Sequence, residues 1–206
     1  SAMAQEQTPG LETFLRRTFQ PTLNKIADFC IAHGITANMV TLAGLAGNIV
    51  AALLIGAGHL TWGGVVAMLM GPLDAVDGSL ARRKGSQTPF GAFLDSVTDR
   101  YDELFLLGGL LYYFSTAGNR TGIMLTYIAA AGAVLVSYTR ARAEALGFEA
   151  KVGILSRVER YLILIPGLLF HIPLISVSII AVLGNLTAIQ RLFHVRKQIE
   201  QQAQQD

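Results

Sequence analysis

Apolar residues in this chain neither alternate in the twos of a strand nor form the narrow stripe of a soluble helix. They come in long blocks with short polar breaks. Residues 41–57 (TLAGLAGNIVAALLIGA) and 60–73 (LTWGGVVAMLMGPL) make a close pair, parted only by Gly58 and His59. Residues 104–117 (LFLLGGLLYYFSTA) continue a helix expected to begin near Phe90, and residues 121–139 (TGIMLTYIAAAGAVLVSYT) form the fourth block. The run over 161–190 is too long for one crossing at about 20 residues. His171-Ile172-Pro173 divides it into a fifth and a sixth block, and Pro166 is expected to bend the fifth. The pattern predicts an all-α integral membrane protein with six transmembrane helices.

Before the first block, LETFLRRTFQPTLNKIADFCIAHG mixes Leu15, Phe19, Leu23, Ile26, Phe29 and Cys30 with Arg16, Arg17 and Lys25. This suits an N-terminal cytoplasmic amphipathic helix over residues 10–33 lying on an anionic inner leaflet, interrupted at Pro21. The other reading is a helix packed on the protein's own cytoplasmic face. Residues 1–3 look like a cloning scar, and residues 4–20 are too polar for a cleavable signal peptide. Residues 37–200 are expected to form a six-helix membrane domain and 201–206 a polar tail. No repeat, low-complexity tract or separate soluble domain is visible.

Composition agrees: 52% of residues are hydrophobic and 15% charged, and the mean hydropathy is +0.47, values that argue against a soluble globule. Nothing calls for a nucleic-acid partner. Cys30, the single cysteine, forms no internal disulfide and suits a small apolar filler. Of the 16 Lys and Arg residues only Arg120 falls on one side of the six blocks. The positive-inside rule therefore places both termini in the cytoplasm of a multi-pass protein of the cell (inner) membrane.

One stretch defies the apolar pattern. LDAVDGSLARRKGSQTPFGAFLDSVTDR, residues 73–100, sets four aspartates beside the second and third blocks. Asp74 lies about 14 residues, or ~21 Å, into a core ~30 Å thick, so the acids should begin in its cytoplasmic third. Asp74 and Asp77 are three apart and Asp95 and Asp99 four apart, so on helices each pair shares a face. Between them KGSQTP supplies a turn through Gly85 and Pro89 that would fold the two helices together and make the carboxylates converge. Such a cluster must take up protons or bind cations. Hard divalent ions with oxygen ligands are the natural choice, Mg²⁺ with substrate phosphates above all. Gly78 and Gly91 remove side chains where a phosphate or backbone would approach, and Arg82 suits a phosphate grip. The competing explanation makes the acids helix-end groups paired with Arg82, Arg83 and Arg100.

The spacing Asp74-x-x-Asp77-Gly78-x-x-Ala81-Arg82, eight residues, Gly91-x-x-x-Asp95-x-x-x-Asp99 resembles the signature of the CDP-alcohol phosphotransferase family at every defining position. The resemblance implies six membrane helices, a cytoplasmic amphipathic helix and a homodimer. It also implies transfer of a phosphatidyl or similar group from a CDP-linked lipid such as CDP-diacylglycerol to an alcohol, releasing CMP. Carried over by position, Asp74, Asp77, Asp95 and Asp99 would hold two divalent metal ions, Mg²⁺ or alternatively Mn²⁺, with Asp99 also the general base. Asp74, Asp77, Gly78, Ala81, Arg82 and Gly91 would lie at the CDP donor. Thr41 would lie near the nucleotide, in a segment that departs from the family at Ala37, where proline is common.

Arg140, Arg142, Arg157 and Arg160 flank the fourth and fifth blocks at their cytoplasmic ends, and Arg191 and Arg196 follow from the sixth. An uncharged acceptor needs no such set, whereas a phosphorylated alcohol does, because guanidinium grips phosphate bidentately. The pattern resembles the phosphatidylinositol-phosphate synthase branch of the family, in which lysine is commoner at the position of Arg140. It implies inositol phosphate as acceptor, with glycerol 3-phosphate or another alcohol as alternative. The plain reading is topogenic, since arginines here satisfy the positive-inside rule whatever the acceptor. Two rivals share the intramembrane acids. A prenyltransferase would carry its acid motifs on separated helix pairs without the Gly78 and Arg82 pattern. A cation carrier would place them nearer the bilayer midplane.

Overall fold

The computed structural model describes residues 11–83 and 88–204, without the side chains of residues 11–19 and 74. The described residues contain no strand. They form helices α1 (Leu11–Ala32), α2 (Ala37–Gly56), α3 (Leu60–Met70), α4 (Leu73–Arg83), α5 (Pro89–Thr116), α6 (Arg120–Ala145), α7 (Arg157–Leu169) and α8 (Pro173–Gln202). Two compact units result, one of Ser1–Gly44 with Met70–Thr98 and one of Leu45–Leu69 with Asp99–Asp206. Helices α2 and α5 contribute to both. The scar, the first residue of the expected amphipathic helix, residues 84–87 of the expected turn, and the last two residues of the expected tail lie outside the described residues.

In the first unit α1 packs on α4 through Leu23, Ala27, Cys30, Val76 and Leu80, with Val40 of α2 completing the cluster. Cys30 is an apolar filler here, as its sequence context predicted. The expected interruption at Pro21 does not occur: α1 runs through it. The missing N–H costs one intrahelical bond, and the helix keeps its course because its next turns are anchored on α4 by packing, by Ser79 Oγ donating to Asn24 Oδ1 at 3.3 Å and by the pair of Arg83 and Asp28 at 2.8 Å. Ile26 and Phe29 remain exposed on α1.

Among the described residues four stretches are long and apolar enough to cross a membrane: Ala37–Gly56, Leu60–Arg83, Arg120–Ala145 and Pro173–Gln202. With their exposed side chains, among them Leu53, Trp62, Met124 and Val182, they make this a membrane-embedded protein. Leu60–Arg83 is not one smooth helix, because Gly71 and Pro72 form a turn between α3 and α4, and α4 restarts with the amides of Ala75 and Val76 donating to the Pro72 carbonyl. The aspartate motif therefore opens a fresh helix. The expected division at His171-Ile172-Pro173 is present: α7 ends at Leu169, His171 has φ 58° and Pro173 begins α8.

Within the second unit the core joins Ala51, Ile55, Leu106, Leu110, Ala129, Leu164, Leu168, Val177 and Ile180. In a bilayer such packing relies on close backbone approach rather than on escape from water. Gly109 provides one such approach, since a β-carbon there would strike the Ala52 carbonyl of α2. Gly132 provides another between α6 and α8, where a β-carbon would lie 2.7 Å from Asn185 Nδ2. Asn185 itself donates to the Ile128 carbonyl at 3.1 Å.

Candidate active site

The first unit carries Asp74, Asp77, Gly78, Ala81, Arg82, Gly91 and Asp95, together with Thr41. Asp74 is the second residue of α4. One turn on, Asp77 is 4% exposed and accepts a hydrogen bond from Thr41 Oγ1 at 2.6 Å, short as expected for a hydroxyl bonded to a carboxylate. Thr41 belongs to the first turns of α2, whose start is capped by Thr36 Oγ1 accepting from the Met39 amide at 3.3 Å. A β-carbon at Gly78 would lie 3.4 Å from Arg82 Nη1, so the Arg82 side chain folds back along the bare face that Gly78 leaves. At the start of α5, Thr88 Oγ1 accepts from the Gly91 amide at 3.0 Å. A β-carbon at Gly91 would approach Thr88 Oγ1 to 3.1 Å and Asn38 Oδ1 to 3.4 Å, so glycine keeps the first turns of α5 and α2 close.

Asp99 follows Asp95 by one turn of α5 and belongs to the second unit. It accepts from Arg157 Nη1, with Arg100 Nη1 3.5 Å from its other oxygen. Arg157 also reaches Asp102 Oδ2 at 3.7 Å and lies over the Tyr161 ring, 5.4 Å from its centroid. Asp102 and Glu103, 2% and 6% exposed, were not singled out from the sequence. The signal was there: both acids lie one turn past Asp99, against the apolar run that fills the rest of α5, where an ionisable residue requires a partner.

The six arginines expected at the acceptor part company. Arg160, 2% exposed, donates through Nε to Glu103 Oε1, through Nη2 to Glu103 Oε2 at 2.8 Å and through Nη1 to the Leu155 carbonyl at 3.1 Å. Arg191, 6% exposed, donates through Nε to the Val152 carbonyl at 2.9 Å and through Nη1 to the Val136 carbonyl. Arg157 is about one quarter exposed at Asp99. Arg140 and Arg196 are exposed in pairs with Glu144 at 3.0 Å and Glu200 at 2.7 Å, and Arg142 is exposed at the end of α6.

Residues 34–192 match the family model for CDP-alcohol phosphatidyltransferases. The chain belongs to the CDP-alcohol phosphatidyltransferase family. It is thus a membrane transferase of phospholipid biosynthesis. It is 35% identical to phosphatidylinositol phosphate synthase of Mycobacteroides abscessus over 88% of this chain and 86% of that one. It is also 35% identical to archaetidylinositol phosphate synthase of Methanothermobacter thermautotrophicus, over 93% and 100%. The crystal structure of Mycobacterium tuberculosis phosphatidylinositol phosphate synthase with CDP-DAG bound superposes with TM-score 0.79 at 29% identity, covering 84% and 92% of the two chains. The same Mycobacterium tuberculosis enzyme has been solved in complex with manganese and citrate.

The motif's donors fit a divalent metal of that kind. They are carboxylate oxygens, the ligands of Mg²⁺ and Mn²⁺ rather than of softer ions. Among the described residues no three such side chains close on one point; the carboxylate of Asp74 is outside that description.

Proposed function

We propose that this transferase moves the phosphatidyl group of CDP-diacylglycerol to the hydroxyl of a phosphorylated alcohol, inositol phosphate, giving phosphatidylinositol phosphate and CMP. The observation that carries the acceptor half is the pairing of Asp99 with Arg157. It sets a partly exposed guanidinium beside the carboxylate proposed as base, so an acceptor whose phosphate takes Arg157 brings its hydroxyl to Asp99. The names of the relatives support the same acceptor.

Asp74, Asp77, Asp95 and Asp99 would hold two divalent cations, Mg²⁺ or Mn²⁺, which when bound neutralise the donor diphosphate and the charge on departing CMP. Thr41 fixes the Asp77 carboxylate through its hydrogen bond. Gly78, Ala81, Arg82 and Gly91 line the approach of the CDP moiety, with Arg82 on a phosphate oxygen. The acceptor oxygen attacks the phosphorus that bears diacylglycerol, the bond from that phosphorus to the CMP oxygen breaks, and the hydroxyl proton passes to Asp99. Because Arg160 and Arg191 are committed to protein partners, the acceptor phosphate falls to Arg157 with Arg140, Arg142 and Arg196.

In the membrane this reading takes six spans, α2, α3 with α4, α5, α6, α7 and α8, with α1 as an interfacial helix. Residues 10–33 and 37–200 are its two regions, both termini and the active site face the cytoplasm of the cell membrane, and two copies pair as a homodimer. Helices α5 and α7 fall short by apolarity and length alone. The first carries the motif, and the second has 13 residues.

The test is CMP release from CDP-diacylglycerol by the protein in lipid with Mg²⁺, comparing inositol phosphate, glycerol 3-phosphate, inositol and serine. Turnover is expected with inositol phosphate and lost in Asp99→Asn. Turnover with another acceptor alone refutes the acceptor, and none with any refutes the reading.

A further inference from the structure

Helices α5 and α7 are joined by two ionic rungs. Asp99 and Glu103 lie one turn apart on α5, and Arg157 and Arg160 one turn apart on α7. The first rung, Asp99 with Arg157, has side chains 18% and 27% exposed. In the second, Glu103 with Arg160, they are 8% and 2% exposed. The buried rung uses both carboxylate oxygens of Glu103 and two nitrogens of Arg160, a fork that fixes distance and orientation together. The third Arg160 nitrogen holds the Leu155 carbonyl, while the Leu155 amide donates to Thr187 Oγ1 of α8 at 3.0 Å. Two residues earlier Gly153, at φ 127°, fits against Thr187 where a side chain would collide, and Val152 is held by Arg191. The chain entering α7 is thus tied at successive residues, and Arg157 is the first residue of the helix it enters.

A buried ion pair is seldom kept for stability, because desolvation cancels most of its attraction and apolar replacements of similar volume often serve as well. What this pair does supply is register. A slip of one residue along α7 turns its side chains by about 100° and carries Arg157 off Asp99.

We propose that Glu103 and Arg160 are positioning residues for the transfer reaction: their buried pair sets the register of α7 on α5 so that Arg157 is presented at Asp99. Arg160 acts on the acceptor through Arg157 and does not touch it. The inference rests on the reading of Arg157 as a grip for the acceptor phosphate.

The experiment uses the whole chain in lipid nanodiscs and compares Glu103→Leu/Arg160→Met, Arg157→Ala and the triple variant. Thermal midpoint, donor KM and inositol phosphate KM are read for each. Spin labels at Leu104→Cys and Leu162→Cys, in a Cys30→Ser background, report the distance between α5 and α7. The double variant is expected to keep its midpoint and donor KM while acceptor KM rises about 10- to 100-fold, the worth of a charge-assisted hydrogen bond. Arg157→Ala should raise acceptor KM by a similar factor alone and by little in the double background, since the two act through one contact. The label distance should broaden or shift in the double variant. Wild-type acceptor KM and distance in the double variant overturn the proposal, as does a full additional effect of Arg157→Ala there. If Arg157→Ala leaves acceptor KM unchanged while the distance shifts in the double variant, the acceptor reading fails and the register role stands. Should the double variant not fold, Glu103→Gln, which keeps shape and one hydrogen bond, is put through the same measurements, and an unchanged acceptor KM and distance there overturn the proposal equally.

Discussion

Replacing Thr41 by valine isolates the contribution of one hydroxyl to the acid cluster. Valine matches threonine in shape and β-branching, so α2 loses no packing and gains no strain. What disappears is the donor 2.6 Å from Asp77 Oδ2; the Ala37 carbonyl, 3.1 Å from the same hydroxyl, keeps its place in the helix. A hydrogen bond to a charged group contributes about 1.5–3 kcal/mol, more firmly where the carboxylate is as buried as Asp77. At about 1.4 kcal/mol per decade this predicts a fall of about 10- to 100-fold in kcat/KM for the CDP donor. The assay is CMP release at varied CDP-diacylglycerol surface concentration and varied Mg²⁺. Acceptor KM should hold, and a higher Mg²⁺ requirement should accompany the loss, since a carboxylate that has lost an orienting donor binds metal less well. Thr41→Ser restores the donor and should restore activity. The reasoning is refuted if the valine variant stays within about a factor of two of the wild type, or if serine is as impaired as valine.

Two further outcomes follow from backbone and charge. Gly153→Ala combines an adverse φ of 127° with a β-carbon directed into Thr187, so about 2–5 kcal/mol of strain and overpacking should lower the thermal midpoint in detergent; Gly58→Ala, at φ 87° with nothing nearby, should lose only the smaller, conformational part. In a Cys30→Ser background, an impermeant maleimide should label Arg120→Cys in intact cells and Gln202→Cys only after lysis, and the reverse pattern would invert the proposed orientation.

Much of the fold was legible because bilayer helices leave a coarse record. The break at His171-Ile172-Pro173 was visible as polarity plus proline, and α5 begins within a residue of the expected Phe90. The turn at Gly71 and Pro72 was missed because the residues on both sides are apolar and the block length alone suggested one helix. Pro21 misled in the other direction: a local rule forecast a break that packing of Leu23, Ala27 and Cys30 overrides. At the site, the spacing of the motif set Arg82 one turn beyond Gly78, where its side chain lies, but it gave no sign that Thr41 of α2 would bond Asp77 of α4. It was silent on Asp102 and Glu103, whose importance lies in what α7 brings to them, a relation between distant segments that no local spacing encodes.

The same limit explains why six arginines looked alike in sequence and differ in structure. A guanidinium can serve a substrate that arrives and departs only if releasing its protein partner leaves no buried charge unpaired. Arg160 cannot meet that condition, because Glu103 at 6% exposure would be stranded at a cost of about 3–5 kcal/mol, comparable to what a phosphate contact returns. Arg191 holds two carbonyls that fix the segment entering α7, so its release would loosen that segment. Arg157, about one quarter exposed beside a partly exposed Asp99, can exchange that carboxylate for a phosphate at little cost provided it stays beside the buried Asp102, which its second nitrogen reaches. On the proposed function, a step of three positions along α7 from Arg157 to Arg160, from a partly exposed pair to a buried one, therefore separates the arginine that meets the substrate from the arginine that holds it in place.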